Sequence, residues 1–203
     1  MTQDRLAFFR AAAARWDEFQ PPEAKRPGVV RGLDLLGALD GRTVVDVGCG
    51  TGVAIGPLLE RIGGGRIIGI DFAPEMIERA RAHHPDARVR FLERDVLAAD
   101  LPVASIDAVT CFNTFPHFPH PERVILHFSR WLRPGGVAAV WHDTTGAAIA
   151  EVHGRIGGAI ARDVPYPPGV LAAIFRRHGF DVRRADEHGG AYTVVAKRLP
   201  STP

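Results

Sequence analysis

Cysteine is scarce. The 203-residue chain has two, Cys49 and Cys111, with no CxxC spacing. That excludes a disulfide framework and a cysteine zinc site, and it favours a cytoplasmic setting. Charge of one sign is lacking too: the formal net charge is +2 and the basic residues are scattered. No block of Lys and Arg marks a nucleic-acid or membrane surface, so neither partner is expected. No unbroken apolar run approaches the length of a membrane span. The opening stretch "MTQDRLAFFRAAAARW" lacks the basic start and clean apolar centre of a secretory signal, because Asp4, Arg10 and Arg15 interrupt it. No internal repeat is visible. No HxxxH spacing occurs, and no metal site is expected.

What is present is an ordinary globular composition, 46% hydrophobic and 24% charged, in a length that suits one domain. From residue 42 onward, short β-type runs alternate with helix-type segments. Strands are expected at 43–47, 66–70, 88–92, 106–112 and 137–141. Helices are expected at 53–62, at 74–84 and from 121 to the Pro134-Gly135-Gly136 stop. Pro57, near the start of the first of these, should delay or bend it. A helix at about 168–178, the runs "DVRRA" and "YTVVAK" and an "EHGG" hairpin turn close the chain. Such alternation implies an α/β, Rossmann-like, doubly wound sheet, mostly parallel, with helices on both faces. The last hairpin would add one antiparallel strand. The expected division is a helical cap over 1–40 with two helices, a core over 41–142, an insertion over 143–167 and a closing helix and hairpin over 168–198.

In such sheets ligands sit at the carboxyl ends of the strands, beside the first strand. "VVDVGCGTG" (44–52) occupies that place. A dinucleotide would want G-x-G-x-x-G; here Gly48, Gly50 and Gly52 are spaced by single residues. Asp46 just before them would repel a pyrophosphate and favour a cationic amine or sulfonium. That disfavours a nicotinamide-dependent oxidoreductase. Asp71 ends the second strand, where a carboxylate accepts from two ribose hydroxyls, and Phe72 beside it suits packing on a base. Asp95 follows the third strand; it suits an adenine amino group, with the Val96 backbone reading the ring edge. Amine, ribose and adenine together describe S-adenosylmethionine.

With these residues the chain resembles the class I S-adenosylmethionine-dependent methyltransferases, especially their small-molecule group. "VVDVGCGTG", "IIGIDFAPEMIERAR", "VRFLERDVLAADLP", "IDAVTCFNTFPHF" and "LHFSRWLRPGGVAAV" carry the resemblance over roughly residues 42–142. It implies a seven-stranded sheet with a reversed last strand. It also implies that Gly48, Cys49, Gly50, Asp71 and Asp95 hold the cofactor, with Asn113 lining its methionine end. Ala73 departs from the family, which often has a hydroxyl residue there to cap the helix.

The activated sulfonium methyl needs an aligned acceptor and exclusion of water. "FNTFPHFPH" after the fourth strand lacks the Asn/Asp-Pro-Pro-aromatic run of nucleic-acid amine methyltransferases, which points to a small-molecule acceptor. Phe112, Phe115 and Phe118 suit a cavity wall or ordinary packing. His117, His142 and His153 belong to segments near the methyl end. They are the candidate acceptor-side residues, as general base or as ligands; packing in a chain with nine histidines is the alternative for each. Asp143 and Asp163 are further candidates at the mouth, with solvated loop charges as the favoured alternative, and "VPYPP" with Tyr166 suits a fold over the pocket. The expected function is methyl transfer to a small molecule by in-line displacement. The alternative is a non-catalytic S-adenosylmethionine-binding protein. Nothing in the sequence fixes the oligomeric state.

Overall fold

A computed structural model describes residues 2–200. Seven strands form one sheet: β1 (Thr43–Val47), β2 (Arg66–Asp71), β3 (Val89–Glu93), β4 (Ile106–Phe112), β5 (Leu132–His142), β6 (Phe180–His188) and β7 (Ala191–Arg198). Their order is β3-β2-β1-β4-β5-β7-β6. Pairings among β1 to β5 are parallel, while β7 runs antiparallel to both β5 and β6. The expected doubly wound sheet with one reversed strand is therefore what the chain forms. Val44, Val45 and Val47 are fully buried because β1 has helices over both faces, which is why "TVVDV" reads as a continuous apolar run.

Among the described residues, eight α-helices surround the sheet: α1 (Gln3–Ala13), α2 (Trp16–Phe19), α3 (Pro22–Asp34), α4 (Ile55–Leu59), α5 (Pro74–His83), α6 (Pro121–Trp131), α7 (Gly146–Ile156) and α8 (Pro168–Arg177). One core cluster joins α6 and α8 to one face; a second joins α3, α4 and α5 to the other. On α6, the spacing of Val124, Ile125, Phe128 and Trp131 puts all four on the buried side. Each such side chain contributes roughly 1.5–3 kcal/mol, so Phe128→Ala would open a cavity in the largest cluster.

Several boundaries differ from expectation. The first 38 residues hold three helices, because a short turn of helix, α2, lies between the two longer ones. α4 begins at Ile55, two residues late, with Pro57 in its first turn. The Pro134-Gly135-Gly136 stretch does not end α6. That helix stops at Trp131, and Leu132 is already extended. Pro134 bars the residue before it from the helical region, so the chain turns into β5 early. The three residues then fall in an irregularity of β5, between the pairs Ile106–Leu132 and Ala108–Val137. Gly189 and Gly190 make the two-residue hairpin turn between β6 and β7. No helix among the described residues is long and apolar enough to cross a membrane.

Among the N-terminal helices, α1 packs on α5, and α3 packs on a face of the sheet beside β4 and β5. α3 comes so close to β5 that a Cβ on Gly32 would lie 1.9 Å from the Trp141 ring. Only a residue without a side chain fits there. Trp141 Nε1 also donates to the Gly28 carbonyl at 3.2 Å, which fixes the helix in place.

Candidate active site

β1 delivers the chain to a turn that no side-chain-bearing residue can make easily. Gly48 has φ +70°, and a Cβ there would come 2.4 Å from the Thr114 hydroxyl in the loop after β4. The Gly48 and Cys49 N–H groups both donate to the Ile70 carbonyl, at 2.8 and 3.0 Å. The next turn is tied down by Asp71. Its Oδ2 accepts from Gly50 N at 3.0 Å, and its Oδ1 accepts from Ala73 N at 2.9 Å. Burial pushes this carboxyl up to about 6, against the pull of the backbone N–H groups. Asp71 also takes over part of the capping that Ala73 cannot perform for α5.

This loop opens onto an inner cavity walled by Gly48, Cys49, Gly50, Asp71, Phe72, Val96 and Asn113. Phe112, Phe118 and His117 also border it. Phe115 does not; it packs in the core. Two of the carboxylates expected at the ligand are elsewhere. Asp46 is buried behind the loop, where it accepts from the Thr110 hydroxyl at 3.0 Å. Its side chain is turned towards Thr110 on β4, and burial pushes it up to about 7. Asp95 accepts from Leu97 N at 2.9 Å and caps the 3₁₀ turn at Val96–Ala98. Val96 is in the cavity wall, and Asp95 is not.

A second, outer chamber of about 530 Å³ adjoins the first. Phe9, Trp16, Gln20, Lys25, Asn113 and His117 border both. The three histidines singled out from the sequence meet at this chamber. His117 Nδ1 donates to Asp163 Oδ2 at 2.9 Å, and its ring lies 4.9 Å from that of His153. Burial lowers the His117 pKa, while Asp163 opposes that; the ring is neutral at pH 7 with Nδ1 carrying the proton. The His153 Nδ1 hydrogen-bonds the Asp163 carbonyl. His142 is buried with its Nε2 unpartnered, and burial pushes its pKa down to about 3. Among the described residues, no three His, Cys, Asp or Glu side chains are arranged to hold a metal ion.

Asp163 overturns its expected solvation. It is 3% exposed and receives Arg5 from α1 as well as His117. Burial raises its pKa, but those two donors outweigh it and hold the carboxylate ionised. Asp143 is half-buried, not free: Lys25 Nζ donates to its Oδ2 and Asn113 Nδ2 to its Oδ1, both at 2.9 Å. Tyr166 packs against the core and forms no flap over either cavity. Nothing in the residue pattern marks Arg5, one arginine among many. Lys25 carried a faint one, since the chain has only one other lysine, Lys197. Thr51, in the glycine stretch itself, was also missed. Its hydroxyl donates to Asp17 at 2.6 Å and ties α2 to the loop.

Residues 44–136 match the family model described as "Methyltransferase domain". A solved chain in complex with the Trm112 methyltransferase activator of Haloferax volcanii superposes over 98% of this chain and 100% of its own, with a TM-score of 0.83 and 21% identity. An S-adenosylmethionine-dependent methyltransferase structure from Aquifex aeolicus gives a TM-score of 0.69 at 23% identity, over 84% of this chain and 89% of that one. The chain has the class I S-adenosylmethionine-dependent methyltransferase fold. In sequence it is similar to the ubiquinone biosynthesis O-methyltransferase of Paracidovorax citrulli, 35% identical over 140 residues. That match covers 64% of this chain and 58% of the relative, so the chain spans under two thirds of the relative's length. Within the methyltransferase fold, the inner cavity sits at the switch point between β1 and β4, where the strand order reverses.

Proposed function

We propose that the chain transfers a methyl group from S-adenosylmethionine, bound in the inner cavity, to a small molecule seated in the outer chamber. One observation carries this: the two cavities share a wall, and His117, oriented by Asp163, borders both. The inner cavity fits the cofactor. Asp71 keeps acceptor capacity on both oxygens beyond its two backbone bonds, as ribose hydroxyls require. Gly48 and Gly50 let a ligand approach the backbone, Phe72 offers a ring face and Val96 a backbone edge for adenine. Asn113 takes the methionine end. Asp46 and Asp95 are assigned no direct contact; they brace the strand ends that hold Gly48 and Val96.

The cofactor supplies a methyl group already activated on sulfonium. The chain's part is alignment, exclusion of water and removal of one proton. His117 has its Nδ1 proton committed to Asp163, which leaves Nε2 as the basic nitrogen. It accepts the acceptor's proton as the new bond to carbon forms and the sulfur–carbon bond breaks. The similar relative is named as an O-methyltransferase, so an oxygen nucleophile is the first to test.

Calorimetric titration with S-adenosylmethionine, S-adenosylhomocysteine and NADH tests the first half. Selective binding of the first two is expected; binding of NADH alone would reject the cofactor assignment. Formation of S-adenosylhomocysteine with a panel of phenols and alcohols tests the second half. Cofactor binding with no product from any acceptor would favour a non-catalytic S-adenosylmethionine-binding protein.

A further inference from the structure

The outer chamber inverts the usual ordering of a protein surface. Its inner end is polar: His117, His142, Asn113 and Asp143 are buried or half-buried there. Its outer end is apolar. Phe19 is 57% exposed, Val152 42% and Ile156 53%, and all three border the chamber. Between them the wall is apolar, with Phe9, Ile149 and Ile160 buried. Apolar side chains normally face inward and polar ones outward, and a contiguous apolar rim signals a ligand or partner. Here the rim is continuous with a cavity, so a ligand that fills the cavity would reach it.

Charge at the inner end is balanced. Lys25 is paired with Asp143, and Arg5 with Asp163. Neither a carboxylate nor an ammonium head would find an unpaired counter-ion. His117 Nε2 instead, left as an acceptor by the Nδ1 bond to Asp163, sits in the wall where a neutral hydroxyl can donate to it.

We infer that the outer chamber takes an amphiphile, with a neutral hydroxyl head at the histidines and a hydrocarbon body running out along Ile149 to the rim of Phe19, Val152 and Ile156. Calling this molecule the methyl acceptor rests on the function proposed above; its binding does not.

The test is calorimetric titration of the full chain, with and without S-adenosylhomocysteine, using four probes: phenol, 4-hexylphenol, 4-hexylbenzoate and hexylammonium. The expected result is 4-hexylphenol binding at least tenfold tighter than phenol and tighter than either charged probe. A Val152→Ser/Ile156→Ser variant, altered only at exposed positions, should lose at least threefold in 4-hexylphenol affinity and keep phenol within twofold. Equal affinity for phenol and 4-hexylphenol, equal affinity for a charged probe, or no effect of the rim variant would each overturn the inference. Failure of S-adenosylhomocysteine to bind, with the chain-length dependence intact, would strike at the proposed function alone.

Discussion

The inner cavity is held together by backbone, the outer chamber by ion pairs. Around the inner cavity, Gly48 and Cys49 donate to Ile70, and Gly50 donates to Asp71, so neighbouring strand ends are tied directly. Around the outer chamber, Arg5 reaches Asp163 and Lys25 reaches Asp143 across more than a hundred residues of sequence. Helix α1 is fixed to the far side of the site by the Arg5 pair and by aromatic contacts of Phe9 with Phe72 and His117, while α3 adds the Lys25 pair to its packing on the sheet through Val29 and Leu33. A sheet-borne site is set when the sheet forms. One assembled from helices and side-chain pairs has a lower cost of local opening. The outer chamber is thus expected to open more readily than the inner cavity.

The largest effect expected on this comparison is at Asp71. Asp71→Ala removes the acceptor for the Gly50 and Ala73 N–H groups and, on the proposed function, for the ribose hydroxyls. The expected loss is about 3 kcal/mol, roughly 100-fold in S-adenosylhomocysteine affinity, read by calorimetry. A loss under threefold would mean that the loop holds its shape without the carboxylate. His117→Ala is the outer counterpart. It should leave S-adenosylhomocysteine affinity within threefold but lower kcat by about 100-fold on any accepted substrate. Asp163→Asn should follow it with a smaller loss, because it disturbs the ring only through orientation. Equal loss of cofactor affinity in His117→Ala would erase the division between the two regions.

That division also separates what could be read from the sequence. Everything around the inner cavity is local. Gly48, Gly50 and Asp71 announce themselves through residue type at a fixed distance from a strand end, and the strands through their apolar runs. Asp46 is the instructive case, since it lies outside the cavity wall. Its place before the loop is legible, but whether its side chain faces the cavity or Thr110 depends on the pleat of a strand buried on both faces. The outer chamber depends on pairings at long sequence separation, and no local pattern encodes that Arg5 will meet Asp163. The histidines and Asp163 were legible from their places after the strands; Arg5 on the cap, which completes the pairing, was not.

Two buried groups sharpen the contrast through pH, with opposite signs. Asp46 is pushed up to about 7 in the folded chain, from 3.8. The folded state therefore holds its proton more tightly, and the stability this contributes at low pH is lost as pH rises from about 4 through 7. Asp46→Asn keeps an acceptor for Thr110 and removes that loss. Its melting temperature relative to wild type should be higher at pH 8 than at pH 5. His142 is pushed down to about 3, from 6.5. Its contribution is present above 6.5 and is lost as pH falls towards 3. His142→Phe should therefore gain on wild type at pH 4.5 compared with pH 8. Parallel profiles for the two variants would show that the regions do not differ in this way.

The smallest effect expected is at Lys25. Its ammonium and the Asp143 carboxylate are 23% and 17% exposed, so water partly screens the pair and little energy resides in it. Asp143 also keeps Asn113 as a donor in the absence of Lys25. Lys25→Met, which preserves the apolar stem against the chamber wall, should cost about 1 kcal/mol, a fall of roughly 2–4 °C in melting temperature. The more telling readout is access. With that pair gone, α3 loses its tie to the loop after β5 and keeps its packing on Trp141, the Trp141–Gly28 hydrogen bond and the exposed pairs Arg26–Glu60 and Asp34–Arg61. Hydrogen exchange should then rise in residues 3–34 and stay unchanged in β1 and β2. Faster exchange in β1 as well would mean that the cap and the sheet open as one unit, and that the two regions differ in composition but not in how firmly they are held.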